Sequence, residues 1–458
     1  MAGYTFLLII LMSLAAFYVG RSAGKSFAGG PVRPHSLPDH HGMFVAVWVG
    51  IPSLVLVLVW LFLQETVIDA VLVASLPPRM VEGVSASKIS LVLSEIKNVA
   101  AGRIFTEPSL DTMAAAERYA RWSQIARWAM LVSVLALTIA AMFITHSRLS
   151  PTYRARNRFE RVVTGLMMSC SLVAVLTTLG IIASLLLEAW RFFELVPLSE
   201  FLFGLNWEPQ IALRPDQVAG QGAFGAIPVF MGTILIAAIA MAVATPIGIF
   251  TAIYLAEYSG NRFRNVVKPV LEILAGIPTV VYGFFAVLTV APAVREFGLA
   301  LGLATSPNSA FAAGAVMGIM IIPFISSLSD DALNAVPRDL RDGSLALGAT
   351  RAETMIKVML PSALPGIVGG ILLGVSRAIG ETMIVVMAAG LIATLTLNPL
   401  DGVTTVTVQI VTLLIGDTEF DSPKTLAAFA LGLVLFLVTL GLNVIALRVV
   451  QKYRERYE

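Results

Sequence analysis

The octapeptide Ser376-Arg377-Ala378-Ile379-Gly380-Glu381-Thr382-Met383 sets an arginine and a carboxylate four residues apart inside an apolar run. An ionisable group at bilayer depth costs at least about 2.5 to 3.5 kcal/mol, so it faces a bundle interior and takes a partner. Residues i and i+4 of one helix share a face, which would let Arg377 and Glu381 pair. Arginine suits a tetrahedral oxyanion because its planar fork donates two parallel charge-assisted bonds, and Glu381 would hold it neutral when the site is empty. A structural ion pair that locks helices remains an open alternative at this point. Gly366, Gly370, Gly374, Ala378 and Thr382 recur every four residues on the adjoining face. Such a small-residue stripe admits a second helix at close range.

The elements able to hold this pair follow from composition. Of 458 residues, 57% are hydrophobic and 13% charged, with a mean hydropathy of +0.85; soluble domains carry about 25% charged residues. A soluble globular protein is excluded, and an all-α integral membrane protein is expected. Nine apolar stretches of spanning length occur, at 4–20, 43–63, 126–145, 162–187, 227–255, 270–292, 310–329, 364–395 and 425–447. The 31 basic residues nearly balance 29 acidic ones, so no nucleic-acid role is indicated. The single cysteine, Cys170, can form no intramolecular disulfide and is expected to be a small buried apolar residue.

The first stretch has no basic residue ahead of it and Arg21 and Lys25 behind it, the reverse of a cleavable signal peptide. A retained anchor with the N-terminus outside is expected. That orientation puts 19 of the 31 basic residues on the inner side and only Arg191, Arg214, Arg295 and Lys424 in short outer loops. The C-terminus is then cytoplasmic. Segment 64–127 carries Ile89, Leu93, Ile96 and Ala100 at helical spacing and a second helix from Leu110 into Trp128, which suggests a small helical cap outside the membrane. Arg154, Arg156, Arg158 and Arg161 separate three spans from six, predicting an extension at 1–160 and a main transmembrane domain at 161–458.

The longest inner segment of the six-span part, 330–361, alternates charges with Leu340, Leu345, Leu347 and Ile356, as a short surface helix does. A hydrophobic, glycine-marked helix on that face suits docking to a partner. Small residues let a helix lie close in a groove, Gly348 permits a turn that a side chain hinders, and Pro361 sets the start of the next span. The spacing resembles the coupling (EAA) loop of ABC-importer permeases. Asp342, Gly343 and Ser344 stand where that loop has Glu-Ala-Ala, Gly348, Leu360 and Pro361 match it, and Val358 is a conservative replacement.

Three further segments, "GTILIAAIAMAVATPIGIFTAIYLAEY", "LEILAGIPTVVYGFFAV" and "SRAIGETMIVVMAAG", occur in the order and place found in phosphate ABC-transporter permeases of the PstC type. Together with "FFELVPLSEFLFGLNWEPQ" they make residues from about 160 to 450 similar to that family. The resemblance implies an ABC type I importer permease core in the last six spans. It also implies a heterodimer with a homologous PstA-type permease, two copies of a cytoplasmic ATPase subunit, an extracytoplasmic phosphate-binding protein, and phosphate as substrate. The family's membrane-embedded arginine and glutamate map to Arg377 and Glu381. No cofactor is implied, and ATP hydrolysis belongs to a separate subunit.

Two patterns are weaker. Gly20 with Gly24-Lys25-Ser26 is one residue short of a P-loop and follows an apolar span rather than a strand. His35, His40 and His41 lie among Pro34 and Pro38, which predicts an irregular solvated loop rather than a metal site. Glu257 and Glu272 have ambiguous depth and could cap, gate, or pair with Arg262 or Arg264; Pro246 and Pro278 predict kinks or breaks within spans. An arginine fork does not tell phosphate from sulfate or molybdate, so a permease for another oxyanion stays open. A self-contained anion channel or secondary transporter would need no segment like 330–361. A membrane scaffold or sensor would place function in 64–127.

Overall fold

The computed structural model describes residues 2–28, 32–77, 86–103, 109–210, 222–415 and 422–453. Among them, nine helices are long and apolar enough to cross a membrane. The chain divides into two compact units, Met1–Leu176 and Thr177–Glu458. The division falls inside a helix, sixteen residues beyond the arginine-marked position at 160.

In the first unit, α1 (Ala2–Ala28) packs along α2 (Pro38–Ala74). Gly20 and Gly24 are helical here: a Cβ at Gly20 would meet the His41 carbonyl at 2.8 Å, and one at Gly24 the Pro38 Cα at 2.8 Å. The P-loop-like glycines therefore serve close helix packing, not a phosphate cradle. The expected solvated histidine loop is corrected as well, because Pro38 opens α2 and His41 is fully buried under Phe27 and Gly24. Proline favours the first turn of a helix, where its missing N–H has no intrahelical partner to lose.

Both helices expected in 64–127 form, as α3 (Ala86–Ala100) and α4 (Leu110–Ser147). Ser109 caps α4 by accepting from the Thr112 amide at 3.1 Å. Leu72, Leu76, Ile96, Ala115 and Ala116 make a small core that joins α3 to the ends of α2 and α4, and Lys97 bonds Asp69 at 2.8 Å. Because α2 and α4 continue unbroken out of their apolar spans, the segment is an outgrowth of membrane helices rather than a detached element.

The helix α5 (Ala155–Leu195) has no buried residue in its most apolar stretch, and Cys170 on it is exposed, not buried as expected. In the second unit, α6 (Leu198–Phe203) and the two-residue strands β1 (Trp207–Glu208) and β2 (Ala223–Phe224) close an aromatic core of Phe192, Phe201, Trp207 and Phe224. The strands pair antiparallel, Trp207 opposite Phe224.

Next, α7 (Ile227–Ile253) runs into a π-helical turn, Tyr254–Tyr258. The sixth span is displaced from its expected place at 270–292. Residues Asn261–Gly276 form a separate helix, α8, with none of its residues buried, and the chain breaks at Ile277-Pro278 before α9 (Thr279–Phe285). Proline pushes the residue before it to extended backbone, and Ile277 has ψ 131°. The Tyr282 hydroxyl donates to the Leu274 carbonyl at 2.8 Å, satisfying an acceptor at the end of α8. A π-helical turn, Ala286–Val290, leads into α10 (Ala291–Ala300).

Helix α11 (Ala310–Asn334) is the most buried span. Ile236 and Ala240 of α7 and Met317, Ile321 and Ile325 of α11 form the centre of the main core. Beyond it lie α12 (Arg338–Ala346), α13 (Arg351–Thr354) and a third π-helical turn, Met355–Met359. Then come α14 (Leu360–Ile379), α15 (Met383–Ala388), α16 (Val406–Leu414) and α17 (Pro423–Tyr453). The expected eighth span, 364–395, is thus not one helix: α14 stops at Gly380.

Candidate translocation site and coupling segment

Arg377 occupies the last turn of α14, exposed, with its guanidinium carbon 5.8 Å from the centre of the Phe324 ring on α11. Glu381 lies past the end of that helix. Its Oε1 accepts from the Met383 amide at 3.0 Å and the Ile384 amide at 3.3 Å, which caps α15. The break at Gly380 removes the shared helical face on which pairing of Arg377 with Glu381 was expected. Among the described residues no ion pair joins the two, and the carboxylate is committed to a helix start, where orphan amides favour an anion. Thr407, at the start of α16, donates its hydroxyl to the Glu381 carbonyl at 2.8 Å and so fixes the broken segment from the other side.

The small-residue stripe lies largely against α11. A Cβ at Gly366 would meet the Ala332 Cβ at 2.7 Å, one at Gly370 the Leu328 Cβ at 3.0 Å, and one at Gly374 Ile325 at 3.5 Å. Ala378 is buried on the same side. Thr382 leaves the stripe, because the helix has ended three residues earlier, at Ile379. The stripe seats α14 on α11 and leaves the Arg377 side chain on the exposed flank.

The segment between α11 and α14 is more helical than a surface loop. Asp342 and Gly343 are exposed on α12, and a Cβ at Gly343 would meet nothing within 4 Å among the described residues. The Ser344 hydroxyl pairs with that of Thr354 at 3.0 Å, holding α12 against α13. Gly348 turns the chain with φ +92°, in the left-handed region that favours glycine. Thr350 and Glu353 then restart the helix through a reciprocal capping box. Val358 lies in the π-helical turn, and Leu360 and Pro361 open α14. Leu347 is 91% exposed and Ile356 65% exposed, an apolar pair facing away from the chain's own core.

Two ionic links were not legible in the sequence. Asp330, 2% exposed near the end of α11, accepts from Arg264 through both oxygens at 2.9 and 2.8 Å, from Lys268 at 3.0 Å, and from Asn334 at 3.0 Å. Chiefly through the Asp330 bond, the Lys268 ammonium is held above the usual lysine range. This ties α8 to α11. Asp330→Asn is expected to destabilise the protein by about 2 kcal/mol, since charge-assisted bonds contribute about 1.5 to 3 kcal/mol each, and helical circular dichroism during thermal unfolding in detergent checks it; an unchanged transition rejects the assignment. The second link is Arg341, whose Nη2 lies 3.1 Å from Oε1 of Glu257. Glu257 thus pairs with neither Arg262 nor Arg264. The only signal in the sequence was a glutamate at the inner end of an apolar span.

Glu272 lines a cavity of about 240 Å³ between α8 and α11 with Lys268, Phe324, Ser326 and Ser327. No group of three or more histidines, cysteines or carboxylates that could hold a metal occurs among the described residues.

Residues 6–177 match a family described as phosphate ATP-binding cassette transporter, and residues 244–455 match the binding-protein-dependent transport system inner membrane component. A probable ABC transporter permease of Bacillus subtilis, YqgH, is 33% identical over 273 residues, covering 59% of this chain and 84% of that protein. The phosphate transport system permease protein PstC of Pasteurella multocida is 31% identical over 314 residues, 65% of this chain and 90% of its own length. PstC of Haemophilus influenzae is 32% identical over 235 residues, 48% and 71% respectively.

Proposed function

The chain belongs to the PstC family of inner-membrane permeases of binding-protein-dependent transport systems, and from that premise we propose that it carries inorganic phosphate into the cytoplasm by alternating access. The observation that carries this reading is the Arg377 guanidinium, left exposed at the broken end of a membrane helix that leads directly out of a docking segment. A charged group at that depth is tolerated where it lines a water-filled path or a protein interface, and a guanidinium there is a ready oxyanion contact. Glu381 acts on the path indirectly, by holding the break open as the cap of α15.

The energy comes from ATP hydrolysed on separate subunits. Asp342, Gly343, Ser344, Gly348, Val358, Leu360 and Pro361 form the segment that receives the stroke, with Leu347 and Ile356 as its apolar contacts. The partners are a homologous PstA-type permease, completing the path as a heterodimer, two copies of the ATPase, and an extracytoplasmic phosphate-binding protein. The N-terminus lies outside and the C-terminus inside, an orientation supported by the basic residues concentrated on one side of the spans. Residues 1–160 are an extension and 161–458 the transport domain.

The test is radiolabelled phosphate uptake into proteoliposomes holding the assembled complex and binding protein, with and without ATP on the ATPase side. Uptake that requires ATP is expected. ATP-independent flux would replace the importer by a channel, and hydrolysis without phosphate uptake would point to another oxyanion.

A further inference from the structure

We propose that Arg341 and Glu257 form a tether that makes the inner end of α7 move with α12, so that a stroke on the docking segment reaches the Glu381 break through α7 as well as through α14. This rests on the reading of α12 as the helix that meets the ATPase. Arg341 stands on a helix with no buried residue of its own, yet its guanidinium reaches inward to a carboxylate whose side chain is 3% exposed. No other ion pair reaches Glu257 among the described residues. Removing one partner of a buried pair leaves an uncompensated charge in a poor solvent, so α12 cannot withdraw from α7 without a penalty.

The places joined are built to yield. Glu257 lies in the π-helical turn Tyr254–Tyr258, and the chain leaves the docking segment through a second such turn, Met355–Met359. π-Helical turns are rare and recur at functional sites. Ala256 of the first turn packs against a small core of Ala252, Leu333, Val336, Met355 and Met359, the last two of which belong to the second turn.

At its far end α7 is fastened to the site. Met241 on α7 approaches within 3.5 Å of where a Cβ at Gly374 would stand, one turn before Arg377. Thr233, also on α7, accepts from the Val406 amide at 3.0 Å, next to Thr407, which holds the Glu381 carbonyl at 2.8 Å. A helix gripped by the docking segment at one end and by the outer face of the break at the other is a lever between them. Arg341 and Glu257 are positioning residues on this account, touching neither substrate nor nucleotide.

The test measures phosphate uptake and ATP hydrolysis together, in proteoliposomes holding the complete permease–ATPase complex with binding protein. In Arg341→Gln and in Glu257→Gln, hydrolysis is expected to persist while phosphate moved per ATP falls about tenfold, within the usual range of coupling free energies. Arg341→Lys, which keeps the charge, is expected to retain most of the ratio. A wild-type ratio in both glutamine variants overturns the tether, as does a parallel loss of hydrolysis and uptake at constant ratio, which is what a purely structural pair would give. Should a single variant fail to assemble, the Glu257→Gln/Arg341→Gln double variant leaves neither charge buried alone; a lowered ratio there supports the tether and a wild-type ratio rejects it. Absence of ATP-driven uptake in the wild-type complex would instead strike the proposed function, before any variant is compared.

Discussion

Arg377→Ala is expected to lower ATP-driven phosphate uptake by about a hundredfold or more, the scale on which removal of a single preorganised oxyanion donor acts. The size follows from what the side chain does in the fold, which is little. It is exposed, its recorded contact is the Phe324 ring at 5.8 Å, and no carboxylate pairs with it among the described residues. A cation–π contact at an exposed position contributes about 0.5 to 1 kcal/mol, so α14 keeps its seat on α11 through Gly366, Gly370 and Gly374 whether or not the guanidinium is present. Loss of uptake should therefore come without loss of assembly. Arg377→Lys separates charge from shape: a point charge restores attraction but not the two-pronged fork, and intermediate uptake is expected. Wild-type uptake in Arg377→Ala, measured in membranes where co-purification shows the complex intact, would remove Arg377 from the path.

Hydropathy showed the number of spans but not where they break. An average over about twenty residues runs smoothly across Ile277-Pro278 and across Gly380, because the residues on both sides are apolar. The backbone break at the first comes from a proline that forces the residue before it into extended backbone, and at the second from a glycine followed by a carboxylate that prefers to start a new helix. The Arg377–Glu381 pairing failed for the same reason, since spacing predicts a shared face only while the helix continues. Local patterns fared better: the helical spacing at Ile89, Leu93 and Ile96 produced α3, and Gly348 adopted the backbone for which glycine is suited. The links Arg341–Glu257 and Arg264–Asp330 join residues remote in sequence, and only the packing of α7, α8, α11 and α12 brings them together. His41 and Cys170 were misplaced in opposite senses. Burial depends on which neighbour covers a residue, and the sequence alone does not reveal that a helix crosses at His41 while none among the described residues covers Cys170.

Gly348→Trp is expected to uncouple the complex, with phosphate uptake falling at least about tenfold while hydrolysis no longer responds to loaded binding protein. At φ +92° any L side chain is strained, by about 1 to 2 kcal/mol in the left-handed region, which is too little to unfold a transmembrane domain of this size. Among the described residues nothing lies within 4 Å of a Cβ added at Gly348, so the side chain would start into open space. Its bulk would instead project beside Leu347, 91% exposed, on the surface proposed to meet the ATPase. Gly348→Ala is the control, because alanine places a Cβ at the same positive φ with almost no added bulk. The two variants share the strain and differ in the volume presented to the partner. If Ala retains coupling and Trp loses it, docking is the cause. If both lose it alike, the turn itself is what matters, and wild-type uptake with Trp would show that this surface does not receive the stroke.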